Sequence, residues 1–184
     1  MVISIKTNAD LLPYLEQFIN KEREYEINGV SYSYKEQREI LLSNQTISIG
    51  IIEGDTLRSV LQIAFTDSFL FELYCKGDID EKGFFNQGLI NECDCIYFSF
   101  AYFLNSKDGS VLIKKLLEVL DLECLSKINF TFAVIDIKHS SRHLDRFGFE
   151  HIYLDNHRKD RVYVRKNLNW LKDFTCYHIR NSNT

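Results

Sequence analysis

The chain has 184 residues, enough for one domain with a substantial core, and its 45% apolar and 26% charged content suits a soluble globular protein. A net charge of −4 argues against a phosphate-backbone binder, which needs a basic face, so no nucleic-acid partner is expected. No window approaches the roughly 18 consecutive apolar residues of a membrane span. The start Met1-Val2-Ile3-Ser4-Ile5-Lys6 lacks the basic opening and long apolar run of a secretory signal, so a cytoplasmic protein without a membrane partner is expected.

The first elements read as scaffold. Residues 2–6 alternate apolar and polar, as a half-buried strand does. Asn8 or Asp10 can cap a helix whose one face carries Leu11, Leu12, Leu15, Phe18 and Ile19, with Pro13 in its first turns and Asn28-Gly29 at its end. Ser33-Tyr34-Lys35-Glu36 matches a capping box and starts a second helix that runs to Leu42. Residues 46–52 and 57–65 are apolar runs joined by Glu53-Gly54-Asp55-Thr56, a hairpin signal. Residues 67–92 have the weakest periodicity and contain Gly77, Gly83 and Gly88; they read either as an insertion bordering a cleft or as a surface excursion with one short helix.

Residues 93–150 are the most informative. A strand over 95–104 leads into the polar loop Asn105-Ser106-Lys107-Asp108-Gly109-Ser110. A helix over 111–120 and a second strand over 129–135 follow, and a short helix closes on Arg146-Phe147-Gly148-Phe149-Glu150. Amide groups and a helix dipole converge where such a loop meets its helix, which is how a phosphate is cradled. The two strands should be parallel neighbours joined by the helix, with Val111, Leu112, Leu116, Val119 and Leu120 facing the sheet and Lys114, Lys115 and Glu118 facing away. Strands over 151–154 and 161–164 come next. Residues 167–184 form a tail whose Trp170, Leu171, Phe174 and Tyr177 suggest a partly docked helix. The five cysteines are an odd set expected to stay reduced. A zinc site would need Cys93 and Cys95 to join His139 and His143. A C-x-C pair heading a strand, with both side chains on one face, does not fit the paired spacing of structural zinc, so no metal is expected.

The element order, a strand, two helices, a hairpin, an irregular stretch and then β-α-β-α-β-β, resembles the GCN5-related N-acetyltransferase (GNAT) family, with residues 93–150 carrying the resemblance. That family's loop has the form Q/R-x-x-G-x-G/A, and Ser106-Lys107-Asp108-Gly109-Ser110-Val111 stands in its place. Gly109 matches the first glycine, Ser106 replaces the Arg or Gln, and Val111 replaces the second small residue. In the later signature Ser140 and Gly148-Phe149 match, whereas Ile137 and Leu144 stand where Asn and an acid Tyr are usual.

The resemblance implies an α/β (α+β) fold, with a mixed central sheet of six to seven strands and helices on both faces, over residues 1–166. It implies acetyl-CoA or another acyl-CoA as co-substrate, held by Ala101, Phe103, Ser106, Lys107, Asp108, Gly109, Ser110 and Val111. It also implies direct attack on the thioester by a small-molecule or peptide amine. Asp94, at the mouth of the strand, is the candidate base; Tyr97, sharing a strand face with Ser99, Ala101 and Phe103, is the second catalytic candidate. The alternative is a catalytically inactive relative that binds a ligand or protein through aromatic surfaces. The 14 Phe and 10 Tyr provide for such surfaces, and a homodimer is compatible with them.

Overall fold

The computed structural model describes residues 3–25, 32–86, 88, 90, 92–120, 125–136, 148–152 and 160–166. The alternating start forms β1 (Ile3–Thr7), followed by a 3-10 helix (Asn8–Tyr14) and then α1 (Leu15–Tyr25). The single helix expected here is therefore split. Pro13 lies in the 3-10 turn, and Asn8, at a positive φ of 42°, bonds across to the sheet, its Oδ1 accepting from Ser48 N at 2.8 Å. Leu11, Leu15, Phe18 and Ile19 are buried as the periodicity predicts.

The capping box is present at the start of α2 (Tyr34–Leu42). Ser33 Oγ accepts from Glu36 N at 3.2 Å, and Glu36 Oε2 accepts from Ser33 N at 2.7 Å. The hairpin is β2 (Thr46–Glu53) and β3 (Thr56–Thr66), turning at Gly54, whose φ of 61° is costly for any residue with a Cβ.

The stretch 67–92 is more ordered than its pattern suggested. Asp67 caps α3 (Ser68–Lys76) by accepting from Phe69 N at 2.8 Å, and Gly77 at φ 87° ends it; a second 3-10 helix spans Glu81–Phe85. Leu70, Tyr74 and Phe84 are fully buried. Phe69, Phe71 and Leu73 are also apolar, and this is why the 3.6-residue stripe is hard to see in sequence.

One seven-stranded sheet runs in the order β1-β2-β3-β4-β5-β7-β6, with β4 (Cys95–Tyr102), β5 (Phe130–Asp136), β6 (Glu150–Ile152) and β7 (Asp160–Arg165). Among the described residues only β4 and β5 pair in parallel, and α4 (Ser106–Val119) lies between them in sequence, as the crossover reading requires. On one face α4 packs Leu112, Ile113 and Leu116 on Ile49, Ile51, Leu61, Ile63 and Ile96. The opposite face carries α1 over Leu57 and Val60, and α3 with the second 3-10 helix over Ala64, Tyr97, Phe132 and Val162. Val60 and Ala64 share strand parity, so α1 and α3 lie on the same side of the sheet.

Helix α4 begins five residues earlier than expected. Asn105 caps it, its Oδ1 accepting from Asp108 N at 3.0 Å, and that bond outweighs glycine as a local breaker. With this start, Gly109, Leu112, Ile113, Leu116 and Leu120 turn inward, while Val111 and Val119, expected on the sheet, are 40% and 43% exposed. Cys93 is exposed ahead of β4 and Cys95 is buried within it, so the two do not share a packed face as expected. His139, His143, Cys124 and Cys176, the short helix before Gly148 and the tail over 167–184 lie outside the described residues.

Candidate functional site

The site grows from an irregularity in β4. Opposite β3, Phe98 pairs with Ile63 and Phe100 with Gln62, leaving Ser99 as an extra residue, a β-bulge. On its other side β4 pairs with β5 from Cys95↔Phe130 to Phe98↔Ala133, although β4 continues to Tyr102 and β5 to Asp136. The two parallel strands therefore part after Phe98, and among the described residues the β4 backbone over 99–102 has no partner strand on that side. A buried polar thread pins the bulge: Ser99 Oγ donates to Gln62 Oε1 at 3.1 Å, and Gln62 Nε2 donates to Ser48 Oγ at 2.9 Å.

The bulge also reverses the alternation of side chains. Tyr97 faces the α3 side and Phe98 the α4 side; past Ser99, Phe100 and Tyr102 turn toward α1, with Phe18 5.6 Å from Phe100 and Lys21 4.0 Å above the Tyr102 ring. Ala101 and Phe103 alternate to the α4 side. The common face expected for Tyr97, Ser99, Ala101 and Phe103 is thus divided by the one inserted residue.

Phe103 lies flat against α4. A Cβ on Gly109 would come within 3.3 Å of its ring, so a larger residue there needs the partly exposed Phe103 side chain to give by a few tenths of an ångström. Gly109 is not at positive φ, unlike Gly54, Gly77 and Gly148.

The N-terminus of α4 stands beside the parted strands. Ser106 and Lys107 are exposed on its first turn, where amide groups have no helical acceptor and the dipole favours an anion. Ser110 Oγ bonds back to Ser106 O at 3.0 Å, and Val111 faces solvent one turn on. Asp108 points the other way. Only 7% exposed, its Oδ2 accepts from Ser59 Oγ at 2.6 Å and from Arg58 Nε at 2.9 Å. Arg58 also reaches Glu53 Oε2 at 3.4 Å, and Ser59 Oγ accepts from Leu104 N at 3.0 Å.

A cation thus reaches this helix end from β3, 50 residues away in sequence. Its only sequence signal was a charge inside the apolar run 57–65. Arg58 is matched by Asp108 and Glu53, so it adds no net positive charge to the helix end.

Of the two catalytic candidates, Asp94 sits just ahead of β4 and Tyr97 within it, before the bulge. Asp94 Oδ1 accepts from Ser68 N at 2.7 Å and its Oδ2 from Asn129 Nδ2 at 3.1 Å; its carbonyl accepts from Asn129 N at 2.7 Å. Both carboxylate oxygens thus tie the start of α3 to the approach to β5.

Tyr97 is 1% exposed, stacked on Phe132 at 5.0 Å and against Phe84 at 4.8 Å, and its hydroxyl donates to Glu81 Oε2. Burial first, then the Glu81 charge, holds this phenol well above its usual range. Glu81, which the sequence reading passed over, makes Tyr97 half of a carboxylate–phenol pair. Burial likewise raises the Cys95 thiol, whose Sγ donates to Thr66 O at 3.4 Å. Among the described residues no group of three His, Cys, Asp or Glu side chains is placed to hold a metal, and no helix is long and apolar enough to cross a membrane.

No protein-family profile matches the chain, and no curated protein does. Solved structures do match. A probable acetyltransferase from Staphylococcus epidermidis is 15% identical, with 90% of this chain and 99% of that one covered at a TM-score of 0.54. Arabidopsis thaliana NAA60 in complex with acetyl-CoA is 13% identical, covering 89% and 98% at a TM-score of 0.55. The PaiA N-acetyltransferase of Thermoplasma acidophilum in complex with coenzyme A is 13% identical, covering 91% and 100% at a TM-score of 0.51. The chain has the GNAT, acyl-CoA N-acyltransferase-like fold, and structures sharing it hold acetyl-CoA or coenzyme A.

Proposed function

We propose that this protein is an acyl-CoA-dependent N-acyltransferase that passes an acetyl group from acetyl-CoA to an amine. The observation carrying the reading is the parting of β4 and β5 after Phe98 beside the exposed first turn of α4. Unpaired strand groups over 99–102 can hydrogen-bond the amide-bearing arm of the coenzyme. The amides of Ser106 and Lys107 can take its pyrophosphate, with the Lys107 ammonium adjacent.

In this arrangement Ala101 and Phe103 line the α4 side of the opening, and Asp108, Gly109 and Ser110 hold the helix end in place. Bound acetyl-CoA supplies an activated thioester. The amine nitrogen bonds to its carbonyl carbon, the carbon–sulfur bond breaks, and the proton that the nitrogen gives up balances the one the thiolate takes, leaving amide and free thiol. Tyr97, enclosed by Phe84 and Phe132 with its hydroxyl on Glu81, cannot reach the reacting groups and is a positioning residue for β4.

A second reading, a ligand- or protein-binding relative without catalysis, is favoured by the burial of Tyr97 and by the matching of Arg58 with Asp108 and Glu53 at α4's start.

Calorimetric titration with acetyl-CoA tests the first reading, and micromolar binding is expected. Ser106→Glu should weaken that binding about tenfold by opposing the pyrophosphate. The same change should leave the fold intact or firmer, since an acid suits a helix's first position. Absence of heat at millimolar acetyl-CoA, or unchanged affinity in Ser106→Glu, would sink the coenzyme assignment.

A further inference from the structure

Lys21, on α1, holds its Nζ 4.0 Å from the centre of the Tyr102 ring. Both side chains are half-buried, and among the described residues Lys21 makes no ion pair. This sets it apart from Lys35, Arg58, Lys82 and Lys115, each within 4.0 Å of a carboxylate. Glu22, the next residue, is buried, and its charge acts on Tyr32. An aromatic face orients an ammonium but offers its N–H groups no oxygen acceptor.

The place of this cation gives it a role. Tyr102 ends the stretch 99–102, where β4 has parted from β5, and its ring turns to the α1 side of the sheet. The first turn of α4, with the exposed Lys107, stands on the other side. Two cations thus flank one opening from opposite faces, and phosphates seated on α4 lie across the sheet from Lys21. A coenzyme arm entering from the α4 side leaves the α1 side for the amine, which meets the thioester where the coenzyme does not fill the opening.

We propose that Lys21 binds a carboxylate of the acceptor, which makes the acceptor an amino acid and not a plain amine. This rests on the acyltransferase reading and adds to it a second recognised group, on the α1 side. The ammonium takes the carboxylate in a charge-assisted hydrogen bond, and the Tyr102 ring keeps it in position while no acceptor is bound. With its carboxylate fixed there, the acceptor delivers its amino group toward the backbone of 99–102.

The test measures thiol release at saturating acetyl-CoA from L-leucine, L-phenylalanine and 6-aminohexanoate. Each is run beside the amine that lacks its carboxylate: 3-methylbutylamine, 2-phenylethylamine and pentylamine. At least one acid should show a kcat/KM about tenfold or more above that of its amine. Lys21→Met should abolish this preference by lowering kcat/KM for the acid alone, with the calorimetric affinity for acetyl-CoA at its wild-type value. Lys21→Arg, which keeps a charge over the ring, should restore most of the preference. The proposal is overturned if no pair shows a preference, if a protein that binds acetyl-CoA releases no thiol with any of the acids, or if the preference survives undiminished in Lys21→Met. Any of these results leaves acetyl-CoA binding, and with it the acyltransferase reading, standing; a protein that binds no acetyl-CoA sinks that reading and this proposal with it.

Discussion

Replacing Asp108 with Ala removes the acceptor through which β3 holds the start of α4. The carboxylate is 9% exposed and takes two short hydrogen bonds, from Arg58 Nε at 2.9 Å and Ser59 Oγ at 2.6 Å. Stripping one partner from a buried ion pair costs about 3–5 kcal/mol, chiefly because the other charge is left without compensation. Here the Arg58 side chain is 21% exposed and keeps Glu53 at 3.4 Å, so water and the second carboxylate recover part of that. The loss should lie near the lower end, about 3 kcal/mol. Asp108→Asn keeps a neutral acceptor of the same shape and should cost about 1–2 kcal/mol. Urea unfolding of Asp108→Ala, Arg58→Ala and the double variant gives the coupling directly, and more than about 1 kcal/mol is expected. Strictly additive losses, or a loss under about 1 kcal/mol in Asp108→Ala, would refute the idea that this pair fastens the helix to the sheet.

Phe84 is fully buried, with Tyr74, Tyr97 and Phe132 rings all within 5.1 Å of its own, so Phe84→Ala should cost about 3–5 kcal/mol in a urea titration. A loss below about 1 kcal/mol would mean that the 3-10 helix is not part of the core. The Glu36 carboxyl is lowered from 4.5 to about 2, first by the Lys82 hydrogen bond and then by Ser33. A depressed folded-state value stabilises above the unfolded value, so this contribution should be complete above pH 4.5 and disappear as the pH falls toward 2. Glu36→Gln should flatten that limb of the stability curve measured by chemical denaturation; an unaltered limb would contradict the assignment.

Much of the fold was legible because its signals are local. The alternation of β1, the Ser33–Glu36 box, the turn at Gly54 and the apolar run of β4 each announce themselves within a few residues, and the structure places each within a residue or two. What was illegible depends on distant partners. Gly109 reads as a loop glycine until Phe103 is seen lying against it, and Asp108 reads as a solvent charge until Arg58 and Ser59 arrive from β3. Asp94 carries no hint in sequence that Ser68 and Asn129 will claim both of its oxygens. Helix α3 was obscured for the opposite reason, since its apolar residues surround too much of its circumference to mark one face.

The extra residue at Ser99 makes strand β4 tolerant of substitution and intolerant of changes in length. The residues around the bulge can vary as long as a hydroxyl at 99 still reaches Gln62, but deleting one position there would restore simple alternation and turn 100–103 inside out. Phe100 would leave Phe18, and Phe103 would swing away from the helix it covers. Drift in this strand can therefore change which residues border the opening between β4 and β5, while their number stays locked. A lineage could refashion the lining of that opening indefinitely without altering its spacing.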